Sequence, residues 1–159
     1  MSDLEGFGKK AERKIREWLD RPEEGCCLDR LKDGMSGWRG DCNICDFTFY
    51  RSPNFYYLES KATTGDNFAY NRLTDYQYKN MLAKSAIEGV RCYVIVLFVS
   101  YKRTFILDIE DIAAEEAADR HSINIKKIDK WNIPYIEVET LLSKKGLLDY
   151  NPSQIASIF

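Results

Sequence analysis

The stretch CNICDFTFYRSPNFYYLESKAT, residues 42–63, decides the fold. Residues 43–50 and 55–61 are rich in aromatic and β-branched side chains and flank Arg51-Ser52-Pro53-Asn54, whose composition marks a turn. They read as a β-hairpin. A four-residue loop at 51–54 sets Tyr50 opposite Phe55, and the same register carries Asp46 directly across from Glu59, with β-carbons about 5 Å apart. Strand alternation places Lys61 on the face of Glu59 and Thr48 on the face of Asp46. One side of an otherwise aromatic hairpin therefore collects Asp, Glu and Lys. Opposed carboxylates repel, and a divalent cation turns that repulsion into ligation, since Mg²⁺ takes oxygen ligands from one or two carboxylates plus a substrate phosphate. Lys61 then serves as a positive clamp or orients water. The competing reading is a solvated face on which Glu59 and Lys61 form a surface ion pair worth under ~1 kcal/mol.

Outward from the hairpin, the pattern predicts a helix over residues 8–20, with Phe7, Ala11, Ile15 and Trp18 on one stripe and an end at Arg21-Pro22. A short strand at 26–31 follows, then a Gly-rich loop, DGMSGWRG at 33–40, carrying Trp38 and Arg39 outward. After the hairpin comes a helix capped by Thr74 and closed by Gly89, with Tyr76, Ala83 and Ile87 as its inner stripe. Residues 91–99 read as a buried strand without alternation, paired to 103–109 through the turn at 100–102. Residues 110–118, 126–131 and 139–145 read as helical. Helix, three strands, helix, strand is an α/β order: a mixed central sheet flanked by helices.

The 159 residues suit one domain, spanning 1–159, and the composition of 45% hydrophobic and 30% charged residues excludes collagen-like and broadly disordered chains. The longest apolar run, CYVIVLFV at 92–99, is far short of the ~20 residues of a spanning helix, and the N-terminal residues lack an apolar stretch suited to secretion. A cytoplasmic protein with no membrane partner is the expectation, and five cysteines, an odd number, fit thiols in a reducing compartment. A net charge of −2 argues against a protein that merely coats nucleic acid. The charge is uneven: residues 1–104 carry 17 Lys and Arg against 15 Asp and Glu, whereas 105–159 carry 6 against 10. An anionic partner should meet the first part.

Asp46, followed thirteen positions later by Glu59-Ser60-Lys61 on the next strand with a helix before and after, resembles the PD-(D/E)xK nuclease superfamily. Within it the chain is most similar to the RecU-type Holliday-junction resolvases, from about Gly8 to Tyr150, through Cys45-Asp46-Phe47, Leu58-Glu59-Ser60-Lys61-Ala62-Thr63, Phe68-Ala69-Tyr70 and Thr104-Phe105-Ile106-Leu107-Asp108. The resemblance implies a restriction-endonuclease-like core and Mg²⁺-dependent cleavage of branched DNA, with Mn²⁺ as an alternative ion. Asp46 and Glu59 would hold the metal, with the carbonyl of Ser60 as a further ligand, and Lys61 would act at the scissile phosphate. The resemblance alone gives Gln77 a functional role and places Glu12 where related resolvases keep an additional acidic residue. Paired nicks on a four-way junction imply a symmetric homodimer. Arg39 and Arg72, whose loops bracket the carboxylates, are phosphate-binding candidates, as are Lys9 and Arg13 on the first helix; Trp38 is a candidate for base stacking. One departure concerns substrate: only 27 residues separate Trp18 from Asp46, little room for the protruding stalk of RecU-type enzymes.

Cys42-Asn43-Ile44-Cys45 with Cys26 and Cys27 could make a four-thiolate zinc site, but residues three apart on a strand point to opposite faces, which favours small buried hydrophobes. His121, the only histidine, lies in a charged connector and reads as a surface residue. Two alternatives to junction resolution stand at this point: the same chemistry on other branched or duplex DNA, and a non-catalytic DNA-binding domain of the same fold.

Overall fold

The chain is described here by a computed structural model covering residues 2–31, 43–142 and 147–159. Helix α1 (Ser2–Leu19) buries Ala11, Ile15, Trp18 and Leu19 and leaves Lys9, Arg13 and Arg16 exposed, so its apolar stripe faces the sheet while its cations stay in reach of solvent. It begins six residues earlier than the periodicity predicts. Pro22 opens a single 3₁₀ turn, and Gly25, at φ +73°, reverses the chain into strand β1 (Cys26–Arg30). Strand β2 (Phe47–Arg51) pairs antiparallel with β1 on one side and with β3 (Asn54–Thr63) on the other. Phe47 faces Leu58, Tyr50 faces Phe55 and Arg51 faces Asn54, so the expected register holds, although Ser52 and Pro53 alone make the connection in place of a four-residue loop.

Beyond β3, strand β4 (Asn67–Ala69) and a 3₁₀ turn lead into helix α2 (Asp75–Ser85), which crosses over to strand β5 (Val90–Phe98), parallel to β3. Covered on both faces, β5 has its run from Val94 to Phe98 buried without interruption, which is why its sequence shows no alternation. Lys102, at φ +53°, closes the turn into β6 (Arg103–Asp108), and helix α3 (Ile109–Ala117) follows, capped by Asp108. Strand β7 (Ser122–Asn124) pairs with β4, and after the short helix α4 (Ile128–Trp131), strand β8 (Ile136–Val138) joins the far edge of the main sheet. Its order is β1-β2-β3-β5-β6-β8, with β3 and β5 the parallel pair. Strand alternation divides the apolar core: Phe47, Phe49, Leu58, Ile95, Leu97 and Ile106 pack with α1, and Val94, Val96, Phe98, Phe105 and Leu107 with the side chains of α2 and α3. The result is helix, sheet, helix.

Two expectations fail. Of the expected stripe, Tyr76 and Ala83 face outward from α2 and Ile87 lies beyond its end, Tyr76 at 46% and Ile87 at 56% exposure; the helix instead buries Met81 and half-buries Gln77, Tyr78 and Leu82. Within the predicted helix at 139–145, residues 140–142 are extended instead, and residues 143–145 lie outside the described residues. Glu137 on β8 makes a two-pronged pair with Arg103 at 2.6 and 2.7 Å, and residues Thr140–Leu142 form strand β9, paired with β10 (Leu148–Tyr150), ahead of helix α5 (Ile155–Ile158). Tertiary pairing overrides the weak helical periodicity there.

Candidate metal centre

Asp46 sits one residue ahead of β2, where its carbonyl accepts from Leu31 N–H at 2.8 Å and continues the β1–β2 ladder. Its carboxylate reaches across the hairpin: Oδ2 accepts from the Ser60 N–H at 2.8 Å. Glu59, on β3, is 1% exposed. Its Oε1 accepts from Lys61 Nζ at 2.5 Å and from Gln77 Nε2 at 2.8 Å, whereas Oε2, equally buried, has no hydrogen-bond partner. A buried carboxylate oxygen without a donor is costly, and such a group calls for an explanation.

The electrostatics follow from this crowding. Burial pushes the Asp46 carboxyl up to about 7 from an ordinary 3.8, and the charge of Glu59 adds to the rise; the Ser60 N–H and Lys61 oppose it, while the charge of Glu12 reinforces it. Burial likewise raises Glu59, against the pull of Lys61 and Gln77. Two carboxylates that resist ionisation side by side suit a cation. The donors are oxygens throughout, the preference of Mg²⁺ and Mn²⁺, and the orphaned Oε2 of Glu59 is a free ligand atom. Among the described residues, no third Asp, Glu, His or Cys completes a cluster with them. Two protein carboxylates leave coordination positions for water and substrate oxygen.

Gln77 reaches Glu59 because Thr74 starts α2 with a capping box. The structure thus joins Asp46, Glu59, Ser60, Lys61 and Gln77. Glu12 stands apart from this group: its Oε2 lies 2.8 Å from Arg30 Nη2, and with Lys9, Arg13, Arg16, Arg30 and Phe47 it lines a cavity of about 330 Å³. Phe47 points to the α1 side of the sheet, opposite Glu59, but the charge of Glu12 reaches Asp46, so this cation-rich cavity neighbours the first carboxylate. Arg16, like Lys9 and Arg13, is among the first-helix cations that the sequence offers for phosphate contact, whereas Arg30 escaped the sequence reading, because it meets α1 only through the pairing of β1 with β2, which no local pattern announces. Arg72 is exposed, its guanidinium 5.6 Å from the ring centre of Phe68. Trp38, Arg39 and Cys42 lie outside the described residues. Cys26, Cys45 and Cys92 are buried and Cys27 is exposed; the Cys45 thiol donates to the Phe47 carbonyl at 3.0 Å, and burial together with the Glu59 charge pushes it up to about 12, keeping it protonated. His121 is exposed beside Asp119.

A mixed sheet flanked by helices, whose central hairpin presents Asp and Glu-x-Lys on one face, defines the PD-(D/E)xK nuclease class. Residues 40–152 match the family model of Recombination protein U, RecU, and the chain belongs to that family of Holliday-junction resolvases. Among solved structures, it is similar to Hjc, a Holliday-junction resolvase from the archaeal hyperthermophile Archaeoglobus fulgidus, with a TM-score of 0.52 and 15% identity over 75% of this chain and 89% of that chain. None of the curated proteins compared with it matches. Among the described residues, no helix is long and apolar enough to cross a membrane.

Proposed function

We propose that this protein is a Mg²⁺-dependent endodeoxyribonuclease that resolves Holliday junctions by paired symmetric nicks, one from each subunit of a homodimer, with residues 1–159 as a single nuclease domain. The observation that carries the reading is the buried, partnerless Oε2 of Glu59 on the same hairpin face as Asp46, within the segment matching RecU. Asp46 and Glu59 hold the cation, with the Ser60 carbonyl as a further ligand. When bound, that cation acidifies water and stabilises charge developing on the phosphate.

The remaining steps belong to the chain. Lys61, now paired with Glu59 Oε1, neutralises a non-bridging phosphate oxygen or orients the attacking water. Gln77 steadies Glu59. Lys9, Arg13, Arg16 and Arg30 receive backbone phosphates in their shared cavity, while Glu12 holds Arg30 in place; Arg72, Arg39 and Trp38 extend the contact to the junction. A labelled four-way junction and a matching linear duplex, each with Mg²⁺, Mn²⁺ or EDTA, test the proposal. Cleavage of the junction with either ion and none in EDTA supports it. Cleavage in EDTA overturns the metal site, and equal cutting of linear duplex transfers the activity to other DNA, the reading that the short segment between Trp18 and Asp46 favours. The intact trio of Asp46, Glu59 and Lys61 argues against a non-catalytic domain.

A further inference from the structure

A glutamine amide can present either its oxygen or its NH₂ to a neighbour, and only the NH₂ suits a carboxylate. For Gln77 the helix cap makes the choice. The Thr74 N–H donates to Gln77 Oε1 at 3.1 Å, and the Gln77 N–H donates to Thr74 Oγ1 at 3.2 Å. The reverse orientation would set NH₂ against the Thr74 N–H and oxygen against Glu59 Oε1, losing both bonds. Thr74 itself is anchored: Leu73 before it is buried, and Leu73 and Tyr78 occupy the two staple positions around the cap and belong to one core cluster.

We infer that Thr74 is a positioning residue of the metal centre: its Oγ1 pins the first turn of α2 through the Gln77 N–H, which keeps the Thr74 N–H on Gln77 Oε1 and makes Gln77 an obligate donor to Glu59 Oε1, so that Gln77 and Lys61 together occupy that oxygen and leave Oε2 for the cation. This rests on the reading of Asp46 and Glu59 as metal ligands. It goes further in assigning a role to a residue that touches neither metal nor DNA, and in saying which oxygen of Glu59 does the work.

The test is a double-mutant cycle on the full chain, read by calorimetric Mn²⁺ affinity without DNA and by the Mg²⁺ concentration giving half-maximal junction cleavage. Thr74→Ala should weaken Mn²⁺ binding roughly 3- to 10-fold, and Gln77→Leu roughly 10- to 100-fold, the range for residues that orient metal ligands. Thr74→Ser should restore affinity to within about twofold. In the Gln77→Leu background, Thr74→Ala should still lower the melting temperature yet change Mn²⁺ affinity no further, because the residue through which it acts is gone. A Thr74→Ala protein that loses melting temperature alone, or a cycle whose metal-affinity losses are additive, overturns the inference. Glu59→Gln separates the two readings. If it binds Mn²⁺ like the wild type, the metal site itself falls; if it loses binding while Thr74→Ala does not, the positioning role alone falls.

Discussion

In the metal-free protein, ionising Asp46 works against the fold, and replacing it with asparagine should therefore stabilise the chain. The folded carboxyl titrates at about 7 against an ordinary 3.8, so between these values the folded state binds a proton that the unfolded state has released. Stability falls with rising pH across that window: the contribution is fully present below about 3.8 and is lost as pH climbs through about 7. At about 1.4 kcal/mol per pH unit, the span amounts to at most about 4 kcal/mol. Asp46 keeps partial solvent access, so roughly 2–4 kcal/mol is the expected gain for Asp46→Asn at pH 8 in EDTA, or on the order of 5–10 °C in Tm. The asparagine oxygen can keep the bond from the Ser60 N–H, so no donor is orphaned. Denaturant titrations in EDTA from pH 4 to 8 should show a steep fall for the wild type and a shallow one for Asp46→Asn, the remainder arising from Glu59, which burial also raises. Adding Mg²⁺ at about a hundred times its Kd should return about 2.7 kcal/mol to the wild type and little to the variant. A variant that is less stable than the wild type at pH 8 in EDTA, or that keeps its full pH slope, would refute the reasoning.

Lys61→Ala should lower junction cleavage by at least ~10²-fold while junction affinity by gel shift stays within about twofold, because its work is at the scissile phosphate. Arg13→Ala and Arg30→Ala should each weaken junction binding and reduce the slope of log affinity against log salt by about 1; an unchanged slope would remove the cavity from the DNA path. Replacing Trp38 and Arg39 together with alanine should erode the preference for four-way over linear DNA, measured as the ratio of cleavage rates, while Mn²⁺ binding persists.

What could be read from sequence, and what could not, separates along one line: whether the groups in question are joined by local or by distant structure. The hairpin register rests on period-2 alternation around a short turn, and shortening the loop from four residues to the pair Ser52-Pro53 left the opposed pairs from Phe47–Leu58 to Tyr50–Phe55 unchanged. Asp46, Glu59 and Lys61 were visible because all three lie on that one local unit. Helix α2 was placed and capped correctly but turned the wrong way. Tyr76 and Ala83, extended by Ile87 beyond the helix end, make one stripe and Tyr78, Met81 and Leu82 make the other, and Gln77 reaching Glu59 belongs with the second. That choice is made by a strand eighteen residues away, beyond any periodicity. Short strands β8, β9 and β10 were missed for the same reason, since three residues acquire strand character only from the partner they pair with. Glu12 and Arg30 are likewise brought together only when α1 packs across the sheet. Hence the carboxylates that would bind metal can be found by pattern, whereas Gln77, held against Glu59 by the Thr74 cap, and the Glu12–Arg30 pair come from elements whose rotation the core decides. A substitution that rotates α2, such as a charge at the buried Met81, should accordingly impair metal binding without touching a ligand, and a Met81→Lys chain that folds yet binds Mn²⁺ at wild-type affinity would show that the hairpin alone builds the centre.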